Sequence, residues 1–428
     1  MTATQDTAVP GPARRDRTGM RALWGANWIS TLGSLMSSLA LPWFILETTG
    51  SAARTGLLAT AITTGAVLSS VASGPMIDRL GFKRASVITD VVSALLVAAI
   101  PLLYRADLLE FWLILVLAFL LASMQYPGDA ARYALVPGLA HRAAITIDRA
   151  NAVDRALVRF SMLVGPLVAG ILIAVLGPLN VLLIQAATFA ASGVIVAALV
   201  RPGSRAGAVG PVEVGRSYRT EMLVGLRFVA TNSLLLSVAL VIALANGLDA
   251  ALNTVVLPVY AQQIWGSPTS LGVLVSALGA GALIGTALFG ALGHRLPRRI
   301  TFLLGGAAGG LLLYGGLALT PPLGVMAVLV FLGGIIAGPI VPLAQTVVQT
   351  TTPEDMYGRV FGALQSTSMA VAPFATAIVG FVIQGAGLVP TIVALGALFL
   401  TLTLGMMLNP ALRQMDADRT AGATVTTP

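Results

Sequence analysis

Asp249 stands in the middle of an apolar stretch, 232–261, with Asn246 three residues before it and Asn253 four after. Those spacings put the three side chains on one face of a helix. An ionised Asp at the centre of a membrane helix costs on the order of 2.5–3.5 kcal/mol on insertion scales. Carboxylates in apolar surroundings are suited to take up and release protons as access to water changes sides. Proton coupling is therefore one expectation for Asp249. A hydrogen-bonded structural role and binding of a cationic substrate stand beside it. Asp90, six residues past Arg84, is a second candidate for proton coupling, with simple pairing to an arginine as its plainer reading. Glu47 falls at the outer end of the first apolar stretch and is expected to be solvated.

Uncharged polar residues recur at helical spacing in other apolar stretches. Asn27, Ser30, Ser34 and Ser37 form one row, Gln125 and Tyr126 sit together, and Gln345 and Gln349 are four apart, with Gln365 further on. They are candidates to line a substrate cavity. The alternative for each serine is a bond to the preceding turn, and for each glutamine a contact between helices. A lining so neutral suits a large hydrophobic or weakly cationic cargo better than a sugar or a multiply charged anion.

Two further patterns carry mechanical rather than chemical content. Residues 74–84 read Gly-Pro-Met-Ile-Asp-Arg-Leu-Gly-Phe-Lys-Arg, a tight charged turn between apolar stretches. Gly81 permits the turn, and Asp78 is placed to hold the N-terminal end of a later helix near Met356-Tyr357-Gly358-Arg359, where a helix dipole favours a carboxylate. Topology alone is the other explanation of the turn. In 161–170, Ser-Met-Leu-Val-Gly-Pro-Leu-Val-Ala-Gly, the small residues Gly165, Ala169 and Gly170 admit a neighbouring helix closely. Pro166 removes a backbone donor and bends the helix.

These residues need long apolar elements to position them, and the chain supplies them. It has 428 residues, 57% hydrophobic and 10% charged. That is too little charge for a water-exposed surface, since soluble domains carry about 25%. A membrane span needs roughly 20 apolar residues. Charge clusters and Pro/Gly turns divide the chain into twelve such spans, near 20–46, 54–77, 84–104, 109–128, 157–177, 179–200, 232–261, 270–292, 300–319, 323–349, 360–384 and 388–409. Of the 25 Lys and Arg residues, 23 fall in the tails and alternate connections on one side, leaving only Arg54 and Arg105 on the other. Positive charge marks the cytoplasmic side, so both termini are expected there. The net charge of +8 reads as topology and attraction to anionic lipid, and no nucleic-acid partner is expected. Cysteine is absent and the two histidines, His141 and His294, fall in charged connections, so neither disulfides nor a metal site is expected. The segment 129–156, with Asp129, Arg132, Asp148, Arg149, Asp154 and Arg155, reads as interfacial.

The chain repeats itself. The turn returns as Gly290-Ala-Leu-Gly-His-Arg-Leu-Pro-Arg-Arg299, 216 positions on. At the same offset Leu41-Pro42 matches Leu257-Pro258, Gly50-Ser51 matches Gly266-Ser267, Gly56 matches Gly272 and Gly65 matches Gly281. Ser161–Gly170 has a looser copy at 368–377. Duplicated membrane bundles of this kind move solutes about a midplane site. The expected division is a tail at 1–19, a six-helix bundle at 20–200, a linker with an interfacial helix at 201–231, a second six-helix bundle at 232–410 and a tail at 411–428.

The chain resembles the major facilitator superfamily over roughly 20–410. Gly74, Asp78, Arg79, Gly81, Lys83 and Arg84 match its signature between the second and third helices, with Met76 and Phe82 departing from the usual pattern. Ser161, Gly165, Pro166, Ala169 and Gly170 are similar to its antiporter motif, which marks proton-coupled exporters. Tyr133–Gly138 and Ala150-Asn151-Ala152 resemble the macrolide and siderophore exporters. No arginine precedes Asp129 in the fourth span, where many drug:proton antiporters carry one. The resemblance implies an all-α fold of twelve transmembrane helices in two pseudo-symmetric bundles, with the first, fourth, seventh and tenth helices lining the cavity. It implies gating by the 74–84 residues together with Arg359.

The expected function is a proton-coupled antiporter that exports hydrophobic or weakly cationic small molecules by alternating access. It would lie in a bacterial cell membrane, with protons and membrane lipid as partners, as a monomer. An importer or lipid flippase of the same fold, or a non-transporting receptor or scaffold, is the alternative. No Gly-x-x-x-x-Gly-Lys-Ser/Thr loop is present to hydrolyse ATP, and no cofactor is expected. The scattered intramembrane acids offer no clustered catalytic constellation, so the chain is not expected to be an enzyme.

Overall fold

The structure, a computed structural model, describes residues 17–201, 218–293, 297–353 and 356–408. Both tails, most of the 201–217 joint and the centre of the second charged turn, with His294, lie outside the described residues. The helices are α1 Thr18–Thr49, α2 Ala52–Leu80, α3 Phe82–Arg105, α4 Phe111–Ala143, α5 Ile147–Leu176, α6 Pro178–Leu199, α7 Tyr218–Thr231, α8 Ser233–Trp265, α9 Pro268–Leu292, α10 Arg298–Ala318, α11 Leu323–Thr351, α12 Arg359–Ala386 and α13 Leu388–Leu408. Eleven are long and apolar enough to cross a membrane among the described residues. The 29-residue α2 stands between the first two of these as a further long helix. This is the all-helical, two-bundle architecture that the apolar pattern and the repeat predict.

Local chemistry sets the ends. Gly50 and Gly266, partners in the 216-residue repeat, both take the left-handed conformation that closes the preceding helix, at φ +63° and +61°. Ser51 then caps α2 and Asn232 caps α8 through side-chain oxygens that accept from backbone N–H groups. Gly81 turns at φ +76° between α2 and α3, a conformation L side chains rarely adopt. Single turns of π-helix interrupt α8 at Leu252–Val256 and Ala261–Trp265 and α10 at Leu311–Gly315.

The segment 129–156 is helical and continuous with the spans on either side. α4 runs on to Ala143 and α5 begins at Ile147, joined by a tight turn with Ala144 at φ +52° and Thr146 capping α5. Only Arg132 among these charges turns into the bundle, where it pairs with Asp90, while Asp129, Asp148, Arg149 and Arg155 stay exposed on the helices as they continue. The helix α7 does not lie apart. It packs on the start of α12, where a methyl added at Gly225 would lie 3.2 Å from Ala363 Cβ.

Burial is unequal along the long axis. Let the turn end be the end bearing residues 74–84, and the far end its opposite. At the far end one apolar core joins both halves, running from Leu39–Leu46 through Val97, Ile173 and Val181 to Val255–Ala261, Leu271, Val379 and Ile392. At the turn end each half has its own. Met20, Leu23, Val136, Leu139 and Val196 fill the first half, and Leu235, Val238, Phe302, Val347 and Val360 the second.

The far-end join is backbone against backbone. A methyl at Gly56 would lie 2.8 Å from the Cα of Gly380, and one at Gly170 would lie 3.1 Å from the Cα of Gly272. Gly56 and Gly272 are repeat partners, so the two seams, α2 on α12 and α9 on α5, are built from one duplicated position. Thr60 and Thr376 sit 3.1 Å apart between hydroxyls along the first seam, and the Ser51 hydroxyl donates to Gln384 Oε1 at 3.1 Å.

Candidate functional site

Two cavities take in the residues that the sequence offers for proton coupling and cargo binding. The larger, about 620 Å³, is framed by α8, α9, α10 and α11 and bounded by α5 of the first half. Asp249, Asn246 and Gln345 line it, as do Arg159, Thr286 and Tyr314. Asp249 accepts from Asn253 Nδ2 at 3.0 Å and forms no ion pair among the described residues. The same Asn253 nitrogen donates to the Asp249 carbonyl at 2.9 Å, so Asn253 is tied to its own helix and does not line the cavity. The π-turn beginning at Leu252 follows immediately. The rest of the wall is apolar or glycine, with Gly309, Gly333 and Gly334 keeping it free of bulk.

The smaller cavity, about 120 Å³, belongs to the first half. Ser30, Ser34, Gln125 and Asp90 line it, with Asp129 and Arg132. Asp90 is buried and ion-paired with buried Arg132. Its second oxygen accepts from the Ser192 hydroxyl at 2.8 Å. Arg132 also donates to Asn27 Oδ1 at 3.4 Å, and Asn27 Nδ2 donates to Asp154 at 2.7 Å. Asp129 lies 3.6 Å from the Arg132 guanidinium, its side chain exposed. One polar network thus ties α1, α3, α4, α5 and α6.

The arginine missing before Asp129 is present three residues after it, on the part of α4 that charge had seemed to end. Sequence reasoning counted Arg132 and Arg159 as loop charges. The apolar run 133–140 beyond Arg132 was the available signal that the helix continues. Nothing in the sequence marked Ser192 or Asp154 as members of the network.

The remaining candidates are dispersed. The four-spaced Gln345 and Gln349 part company: Gln349 donates to the Tyr357 hydroxyl at 3.3 Å, outside the cavity. Ser34 and Ser37 donate to backbone carbonyls of the preceding turn at 3.1 Å. The row of serines is in part local bonding. The 161–170 motif sits at the joint of three helices. Ser161 is buried and donates to the Leu157 carbonyl at 2.9 Å. A methyl at Gly165 would lie 2.9 Å from Leu35 of α1, while Gly170 faces α9. Pro166 and Ala169 are buried between them.

At the charged turn, Gly74, Asp78, Arg79 and Arg84 are exposed, and Asp78 has no ion-pair partner among the described residues. Lys83 donates to the Ala197 carbonyl at 2.7 Å and ties α3 to α6. Arg359 is half-buried at the start of α12.

Two bundles of long membrane helices, joined at one end and parted around a cavity at the other, define a membrane transport protein of the major facilitator type. Residues 12–428 match the family model described as transmembrane secretion effector, and the chain belongs to that family. It is 33% identical over 387 residues to the multidrug efflux pump Tap of Mycolicibacterium fortuitum, covering 90% of this chain and 94% of that one. It is 27% identical over 414 residues to the enterobactin exporter EntS of Escherichia coli O6:K15:H31 (strain 536 / UPEC), covering 95% and 94%. Among solved structures it superposes on the nucleoside transporter NupG with a TM-score of 0.73 at 12% identity, over 91% of this chain and 98% of that one. It also superposes on a bacterial homolog of the human lysosomal transporter Spinster in an inward-facing, unoccupied conformation, with a TM-score of 0.74 at 14% identity, over 95% and 99%. The chain is a multi-pass transporter of small molecules in the bacterial cell membrane, not an enzyme.

Proposed function

We propose that the protein exports hydrophobic or weakly cationic small molecules in exchange for protons, by alternating access, with Asp249 as the proton carrier. The observation that carries this reading is Asp249 itself, a carboxylate without a cation partner among the described residues, in the wall of the large cavity where the two halves part. A carboxylate so placed can be neutralised by a proton or by a cationic cargo, and exchange of one for the other couples the two movements. The relatives named as a multidrug efflux pump and as an exporter support the direction.

The turn end is read as cytoplasmic, because 23 of the 25 Lys and Arg residues belong to it or to the tails on its side. Both termini are then inside, and the present conformation is open to the cytoplasm. Closing it brings the 74–84 turn toward the start of α12, where Asp78 meets the Tyr357–Arg359 segment. The Asp90–Arg132 network acts as a second titrating group within the first half. The chain works as a monomer with lipid as its solvent.

Everted membrane vesicles test the reading. A cationic dye should accumulate against its gradient when a proton gradient is imposed, and an uncoupler should abolish this. Asp249→Asn should lose uphill movement while keeping downhill exchange. Dye accumulation that ignores the uncoupler would sink proton coupling, and accumulation only in right-side-out vesicles would make the protein an importer.

A further inference from the structure

Asp249 is not the only charge in the large cavity. Arg159 lines it too, and among the described residues these two are the only charged ones that do. They come from opposite halves, Arg159 from α5 and Asp249 from α8. Their depths match. Arg159 is 17 residues from the far end of its helix at Leu176 (176 − 159), and Asp249 is 16 from Trp265 (265 − 249). At about 1.5 Å per residue both lie near 25 Å from the far end. Neither forms an ion pair among the described residues, with the other or with any third group. Asp249 holds one amide donor, from Asn253, and Arg159 has no hydrogen-bond partner among the described residues.

The contrast with the first-half network is instructive. There the guanidinium of Arg132 is matched by Asp90, Asp129 and Asn27. In the large cavity the guanidinium of Arg159 is exposed and without a partner among the described residues, so it is open to an incoming anion. A planar guanidinium is the side chain best suited to grip a carboxylate or phosphate through two parallel hydrogen bonds.

We propose that the large cavity is a dipolar binding site, in which Arg159 takes an anionic oxygen of the cargo while Asp249 takes its basic nitrogen. The preferred cargo is then an amphoteric molecule with an apolar body, not a simple cation. This rests on the large cavity being the cargo site, and sharpens its substrate class. With both residues ionised the site has no net charge and complements a zwitterion. A proton arriving on Asp249 removes the partner of the basic nitrogen and leaves Arg159 repelling it. Cargo release and proton uptake are thereby linked through one pair of charges.

The test uses the purified full-length protein and one dye in two forms. A carboxy-xanthylium dye bears a carboxylate and a delocalised cation, and its methyl ester keeps only the cation. Binding is read by fluorescence polarisation. The acid should bind the wild type about tenfold more tightly than the ester, the size of one charge-assisted contact. Arg159→Gln should erase that preference, bringing the acid's affinity down to the ester's or below it. Arg159→Lys should keep part of it. Equal binding of both forms, binding of neither, or a variant that weakens both alike overturns the proposal. The wild-type comparison decides even where a substitution impairs folding. Uphill movement of the dye in vesicles is read separately. Acid preference without proton-driven movement leaves the site standing and removes proton-driven export, and proton-driven movement without acid preference does the reverse.

Discussion

Arg132 on α4 pairs with Asp90 on α3 inside the first bundle, and Ser192 on α6 holds the carboxylate oxygen that Arg132 leaves free, at 2.8 Å. Both members of the pair are buried. Removing one strands the other, which for buried pairs costs about 3–5 kcal/mol. Arg132→Met alone should lower the melting temperature in detergent sharply. The double variant Arg132→Met with Asp90→Asn should recover more than half of the loss, because neither uncompensated charge then remains. A double variant no better than the single one would show that the pair does not act as a unit.

The glycine seams make a second prediction. A methyl at Gly56 would lie 2.8 Å from both the Cα of Gly380 and the carbonyl oxygen of Thr376, and both belong to backbone that cannot swing aside. Gly56→Val should therefore part α2 from α12 and stop transport while leaving insertion intact. Gly272→Val should do the same to α9 and α5. The natural absence of cysteine gives a clean background for measuring this. A single cysteine at Thr286, in the cavity wall, reports access from the turn end by its rate of labelling with an impermeant maleimide.

The charged turn makes a third. Asp78 is exposed and has no ion-pair partner among the described residues in the present conformation. Its contribution should therefore be absent here and appear only when the turn end closes. Asp78→Asn should leave thermal stability of this form unchanged, raise maleimide labelling at Thr286→Cys under turnover, and slow transport by about tenfold, the worth of one charged contact. An unchanged rate together with unchanged labelling would reduce the turn to a topology signal.

A fourth concerns an amide that is half satisfied. Gln185 of α6 is buried, donates to the Ser37 hydroxyl at 2.8 Å, and has no partner for Oε1 among the described residues. Ser37→Ala takes away its remaining bond and should cost about 1–3 kcal/mol. Replacing both, Ser37→Ala with Gln185→Met, should be milder than Ser37→Ala alone, as thermal melts of the two variants can decide.

Much of this architecture was legible in the sequence, for physical reasons. Spans of apolar residues must be long to cross a bilayer, so their number and order survive casual reading. The duplication showed because glycines at turns and close contacts, Gly50, Gly56 and Gly65, cannot drift without penalty, and their copies stood at one offset. Asp249 showed because a charge in a long apolar run is conspicuous. The ends of α4 and α5 did not show. Asp129, Arg132, Asp154 and Arg159 looked like a boundary because charge usually is one. Only the fold reveals that Arg132 meets Asp90, 42 positions away, and that Asn27 bridges to Asp154, 127 positions away. The sequence reading also gathered polar residues of several helices around one cavity, whereas Ser30 and Gln125 line one space and Asn246 and Gln345 another.

The two glycine contacts sit within a few residues of the far ends of their helices, Gly56 four past Ala52 and Gly272 four past Pro268. If the halves rock as proposed, these contacts are the axle at one end of two long levers. Across a bilayer core of about 30 Å, each degree of rotation about that axle carries the opposite end roughly half an ångström. A turn of about 10° moves the tips by some 5 Å, which is enough to make or break a side-chain contact. Asp78 rides at the tip, where travel is greatest. Gly56 and Gly380 sit at the pivot, where the smallest added atom meets the least room to yield.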